Sequence, residues 1–341
     1  MRARSILITI AAGVVVAVPA AIVLVDSVER WSPQPSTIAE QVAAATDLDA
    51  YLAAREDSVA GVKPADRKGI RWHDSRQKAR TPIAIVYLHG FSASRRELSP
   101  VVEHVADSLG ANVFFTRFAA HGRVDGEGFR SVTPQQWIDD AREALAIGKR
   151  LGDRVIVIGT STGAVLAMEL AREAEEAHDT TAPAALVFVS PNYEPADWRA
   201  RFIAGPLGPW LARTVGGPYY GFKPANAAQS ELWTWHYRSE GVAALMDLVL
   251  YGQRIDVSQI TAPLLTLYTH KDDVVRVDLI RSRHMDFASI PKRIIDVPEA
   301  TNHVLAGDAM GPRAVDPVVN MIISFVRDAF EIYVSPRSTE R

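Results

Sequence analysis

Past residue 80 the chain alternates short apolar runs with longer segments whose apolar positions recur every three or four residues, and few architectures accept that alternation. The runs at 83–88, 112–118, 154–159, 185–189, 264–268 and 293–297 predict strands, too short and too continuously apolar for surface helices. The stretches at 98–109, 134–151, 163–174 and 317–334 predict amphipathic helices. Strands separated by helices pair in parallel, because each crossover returns the chain to the same end of the sheet. The pattern therefore predicts an α/β fold, a mostly parallel central sheet with helices on both faces.

Composition narrows the chemistry. A formal net charge of -3 and no long basic run give no electrostatic reason to bind nucleic acid. With 0 cysteines among 341 residues, disulfides, a thiol nucleophile and thiolate metal sites are excluded. Histidines and carboxylates do not recur at a paired helical ligand spacing such as H-E-x-x-H, so neither a metal nor a cofactor is expected.

The first residues read as a targeting segment: Arg2 and Arg4 precede an uncharged apolar run, 6–25, followed by Asp26 and Glu29. About 20 such residues span a bilayer as a helix. The positive-inside rule keeps the arginines cytoplasmic and sends the rest of the chain outward. A membrane anchor within residues 1–30 is the expectation; a signal peptide cleaved near Val18-Pro19-Ala20, releasing a secreted protein, is the alternative. Residues 31–80 read as a linker and lead-in, extended through Trp31-Ser-Pro-Gln-Pro. A helical stripe follows at Ile38, Val42, Leu48, Tyr51 and Leu52, with a break near Thr46 and an edge strand near 69–73.

The core is expected to occupy 81–191 and 258–335, ahead of a tail at 336–341. Between its two parts, 192–257 breaks the alternation and holds four of the seven tryptophans, Trp198, Trp210, Trp233 and Trp235, with Phe202, Tyr219, Tyr220 and Phe222. This interval reads as a helical lid over the strand ends. Its aromatics either line a hydrophobic pocket or pack the insertion together.

Residues 159–163 read Gly-Thr-Ser-Thr-Gly, directly after an apolar strand and before an Ala- and Leu-rich helix. Glycines on either side of Ser161 permit a sharp strand-to-helix turn that lifts its hydroxyl off the sheet. A serine hydroxyl is a weak nucleophile unless a histidine takes its proton and a carboxylate orients that histidine. His303, in a polar loop beyond the last predicted strand, is the best placed of nine histidines. His89 and His121 sit beside glycines in turns and read as structural, and His270 lies too near the strand at 264–268. Lys271-Asp272-Asp273-Val274-Val275 offers two adjacent carboxylates.

Taken with His89-Gly90-Phe91 after the first core strand, Ala120-His121-Gly122-Arg123 after the next and Thr301-Asn302-His303-Val304 near the end, the elbow resembles the α/β-hydrolase fold family. More narrowly, the chain is similar to that family's monoacylglycerol lipase and bacterial carboxylesterase branch. The resemblance implies a serine hydrolase of carboxylic esters, of short or medium acyl chain or of a monoacyl lipid, working through Ser161, His303 and an aspartate. It selects Asp272, which is separated by one residue from the apolar pair Val274-Val275, with Asp273 as the spare. It also implies an oxyanion hole built from the backbone N–H groups of Phe91 and Thr162. A thioesterase or lysophospholipase using the same triad, a perhydrolase, or a non-catalytic binding protein on this fold are the alternatives.

Overall fold

The structure, a computed structural model, describes residues 31–179 and 183–334. Seven strands form one sheet in the order β1-β3-β2-β4-β5-β8-β9, made of Gly69–Arg71, Asn112–Phe115, Thr81–Leu88, Gly152–Thr160, Ala185–Val189, Leu264–Tyr268 and Lys292–Asp296. All neighbours pair in parallel except β1, which runs antiparallel against β3 at the edge. Central strands buried on both faces are why the sequence reads as continuous apolar runs. In β2, Ala84, Val86 and Leu88 face one layer while Ile85 and Tyr87 face the other.

Helices fill both layers. On one face lie α4 (Pro134–Leu151), α5 (Thr162–Glu176), α8 (Glu240–Arg254) and α9 (Val277–Asp286); on the other lie α3 (Val101–Leu109) and α10 (Val315–Val334). The lead-in forms α1 (Ile38–Ala44) and α2 (Leu48–Asp57), which bury Ile38, Val42, Leu48 and Leu52 against the α4 layer. They are separate because Asp47 caps α2, its Oδ1 accepting from Ala50 N–H at 3.0 Å.

Among the core strands and helices, two boundaries differ from expectation by more than two residues. The helix expected from residue 98 begins at Val101, since Pro100 disfavours helical backbone at Ser99. The strand expected to run to Phe118 ends at Phe115, where its pairing with β1 runs out at Gly69. The insertion between β5 and β8 holds α6 (Gly208–Gly216), α7 (Ala227–Leu232), α8 and a two-stranded ribbon of β6 (Tyr219–Gly221) and β7 (His236–Arg238), the ribbon being unforeseen. Its aromatics differ in burial. Trp198, Phe202 and Trp210 are 58%, 63% and 60% exposed, so they pack no insertion core, whereas Trp233 is buried.

Among the described residues no helix is long and apolar enough to cross a membrane. The run at 6–25, on which the anchor or signal peptide was expected, lies outside the described residues, as does the tail at 336–341.

Candidate active site

Ser161 stands between β4 and α5 with φ 52° and ψ -112°, a conformation non-glycine residues rarely hold. The turn is held by Ser161 N–H donating to Val189 O at 2.8 Å, while Ser161 O accepts from Ala164 N–H at 3.1 Å and Asn192 N–H at 3.2 Å. Strain of this kind costs about 1–3 kcal/mol and persists only where the surroundings over-determine it. The flanking glycines have a direct steric reason. A Cβ on Gly163 would lie 2.0 Å from Leu88 O, and one on Gly159 would lie 2.6 Å from Gly163 O. Only glycine lets α5 start so close to β2 and β4.

Three residues distant in sequence then meet at the carboxyl ends of parallel strands, where open α/β sheets place their ligands. Ser161 follows β4, Asp272 follows β8 and His303 follows β9. Ser161 Oγ lies 3.0 Å from His303 Nε2, and His303 Nδ1 lies 2.7 Å from Asp272 Oδ2. An ionised carboxylate can only accept, so Nδ1 carries the ring proton and Nε2 is left to accept from the serine hydroxyl. The Asp272 side chain is fully buried, and burial alone would raise its carboxyl. The His303 ring and the N–H groups of Val274 and Val275, which donate to Oδ1 at 2.9 and 3.1 Å, outweigh burial and hold it below the usual carboxylate range. Asp273, the neighbouring carboxylate, is exposed.

The histidines set aside on sequence are elsewhere engaged. His270 is exposed and pairs through Nδ1 with Asp296 at 2.8 Å. His89 is buried, its Nε2 accepting from Phe118 N–H at 3.2 Å, which leaves Nδ1–H to donate to Gly90 O at 2.8 Å. Burial pushes the His89 ring down to about 4, so it stays neutral. His121, also lowered by burial, sits among Phe91, Phe129 and Trp137, with Nδ1 2.9 Å from Ala119 O.

Phe91 is anchored by its ring, which stands edge-on to Phe129, Trp137 and Tyr237 with centroids 5.3–5.9 Å away. Within the described residues, neither Phe91 N–H nor Thr162 N–H donates to a protein acceptor. Thr162 is the first residue of α5, where backbone N–H groups lack intrahelical partners and the helix dipole favours negative charge. The insertion closes over this region: Trp233 and Leu232 pack with Ala93 and Val304, and Thr234 N–H donates to Ser92 O at 2.7 Å. The same segment is tied to the His303 loop by Asn226 Nδ2, which donates to Ala309 O at 2.8 Å. Ser161 is accordingly only 7% exposed.

Sequence reasoning missed Glu97, which is buried under the Gly90 turn. In the stretch Ser94-Arg95-Arg96-Glu97 it looks like any surface charge, and no spacing or motif marks it. No group of three or more histidines and carboxylates among the described residues is arranged to hold a metal.

Comparison with known proteins follows the same lines. A search of curated protein sequences finds no match. Among solved structures, one reported for the metagenome-derived lipolytic enzymes LipS and LipT superposes with a TM-score of 0.61 at 16% identity, over 78% of this chain and 99% of that one. Monoacylglycerol lipase from Paleococcus ferrophilus matches with a TM-score of 0.54 at 13% identity, over 77% and 98% of the two chains. A soluble variant of monoglyceride lipase from Saccharomyces cerevisiae, in complex with a substrate analog, gives the same TM-score and identity over 77% and 92%. At these identities the likeness is one of fold. The family profile matches residues 85–315, well over half of the sequence, and the chain belongs to the alpha/beta hydrolase family.

Proposed function

We propose that the chain hydrolyses carboxylic esters through an acyl-enzyme formed on Ser161. The observation that carries this reading is the unbroken hydrogen-bond chain from Ser161 Oγ through His303 to Asp272. In the first step His303 Nε2 takes the hydroxyl proton as Oγ bonds to the ester carbonyl carbon, and Asp272 stabilises the resulting imidazolium. The oxygen of the tetrahedral intermediate gains the negative charge, which the Phe91 and Thr162 N–H groups stabilise. His303 then returns its proton to the departing alkoxide, and water repeats the sequence to release the acid. A preorganised donor of this kind is typically worth about 2.7–4 kcal/mol of barrier.

An ester of short or medium acyl chain or a monoacyl lipid is the favoured substrate class. Exposed Trp198, Phe202 and Trp210 on the insertion support the lipid option, as do the two similar structures described as monoacylglycerol and monoglyceride lipases. A thioester, or a lysophospholipid, would be cleaved by the same groups. The charge pattern around 6–25 supports a chain anchored in a membrane with its hydrolase domain outside the cytoplasm, or secreted after cleavage. Carbonate extraction separates these: a shortened, soluble product overturns the anchor.

The test of the activity is labelling with a fluorophosphonate in wild type and Ser161→Ala, followed by hydrolysis of p-nitrophenyl esters of rising acyl length. Wild type is expected to label and turn over, and the variant to lose turnover by on the order of a million-fold. Equal labelling of both proteins would place the nucleophile elsewhere.

A further inference from the structure

Gly90 is held from two sides, and only one of them involves a recognisable motif. Its carbonyl accepts from His89 Nδ1–H at 2.8 Å; its own N–H donates to Glu97 Oε1. The Gly90–Phe91 peptide is trans, so C=O and N–H point in opposite directions across it. Fixing the carbonyl of Gly90 toward the His89 ring therefore turns Phe91 N–H the other way. Fixing the N–H of Gly90 sets the preceding peptide plane and removes the remaining freedom of the turn.

Glu97 is itself held. Its Oε1 accepts from Tyr87 Oη–H at 2.9 Å, and because that proton is used, the Tyr87 oxygen accepts from Thr160 Oγ1–H at 3.1 Å. Thr160 is the residue before the strained Ser161. A Cβ on Gly90 would meet Glu97 Oε2 at 3.1 Å on one side and Ser161 Cβ at 3.4 Å on another, so carboxyl and nucleophile both border the Gly90 turn. On the opposite flank, a Cβ on Gly307 would lie 2.5 Å from Glu97 O, and Asp308 N–H donates to Ser99 O at 2.9 Å. The loop carrying His303 thus rests on the backbone around Glu97.

We infer that Glu97 is a positioning residue for the Phe91 oxyanion donor, and that the chain Thr160–Tyr87–Glu97–Gly90 locks that donor in register with the Ser161 elbow. A buried carboxyl 2% exposed needs such a reason, because an apolar side chain there would cost no desolvation. Burial pushes Glu97 up to about 7, against the pull of the Gly90 amide, the Tyr87 hydroxyl and His303. Oε1 can accept from Gly90 in either protonation state, and so can the amide oxygen of a glutamine.

The inference rests on the ester-hydrolase reading, and the test keeps the two apart. The full chain is assayed with p-nitrophenyl butyrate and titrated with butylboronic acid, whose tetrahedral serine adduct mimics the intermediate. Inactive wild type overturns the reading and this inference together. With active wild type, Glu97→Ala is expected to lower kcat roughly 10- to 100-fold with KM nearly unchanged, and to weaken the boronic acid in parallel. Glu97→Gln is expected to restore kcat to within about threefold of wild type, since the acceptor for Gly90 N–H is back. A folded Glu97→Ala protein with wild-type kcat, a kcat loss without weaker boronic acid binding, or a glutamine variant as slow as the alanine variant overturns the inference while leaving the ester reading intact. If Glu97→Ala does not fold, Tyr87→Phe decides: lower kcat at constant KM supports the relay, and unchanged kcat overturns it.

Discussion

Glu97→Gln also has a thermodynamic consequence that can be worked from the structure. An acid whose proton is held more tightly in the folded protein than in the unfolded chain makes no difference to stability below its unfolded pKa, where both states are protonated. As pH rises past that value the unfolded chain releases its proton while the folded protein retains it, so stability falls until the folded carboxyl ionises as well. For Glu97 these limits are 4.5 and about 7, the rise being caused by burial. Linkage over this interval predicts that wild type loses about 2 to 3 kcal/mol between pH 5 and pH 8 through this group alone. Glutamine has no proton to lose. The difference in unfolding free energy between Glu97→Gln and wild type should therefore drift in favour of the variant by about 2 to 3 kcal/mol across that range, whatever its starting value. The assay is urea denaturation of the full chain, followed by tryptophan fluorescence at several pH values. A difference that stays constant from pH 5 to pH 8 would show that Glu97 titrates as an ordinary carboxylate, and a drift in favour of wild type would invert the argument.

Gly163→Ala must push α5 away from Leu88 O, since its Cβ would start 2.0 Å from that backbone atom. A cost of about 3 kcal/mol or more is expected, with fluorophosphonate labelling reduced and melting lowered by several degrees; normal labelling at normal Tm would mean that the elbow is looser than drawn. Asp272→Asn should cut kcat by about 10⁴-fold by removing the acceptor for His303 Nδ1–H, while Asp273→Asn should stay within about twofold, being exposed. The reverse ranking in p-nitrophenyl ester turnover would exchange their roles.

Much of this molecule was legible before any coordinates. The strands at 83–88, 154–159, 185–189 and 264–268 were readable because central strands of a parallel sheet are buried on both faces and carry unbroken apolar runs. The Gly-Thr-Ser-Thr-Gly elbow was readable because close backbone approach admits glycine alone on either flank. His303 and the Asp272–Asp273 pair were legible as candidates because they follow the strands at 293–297 and 264–268, at the strand ends where open α/β sheets place their ligands.

What the sequence by itself determined, then, is the layered α/β architecture and the position of the elbow, both written in local patterns of apolar residues and glycine. The family resemblance favoured Asp272 over Asp273, but the residues alone left both open, and the tertiary structure supplies the reason: a loop turn at 272–275, stabilised by Val274 and Val275 N–H groups, turns Asp272 toward the imidazole. Only the tertiary structure decided that Trp198, Phe202 and Trp210 face outward while Trp233 packs inward, since one-dimensional hydrophobicity does not distinguish a covered side chain from an uncovered one. Glu97 is the extreme case. Its partners Tyr87, Gly90 and, through Tyr87, Thr160 are joined by no sequence period, and only folding curls the segment between Leu88 and Val101 so that the Glu97 carboxyl meets the Gly90 amide.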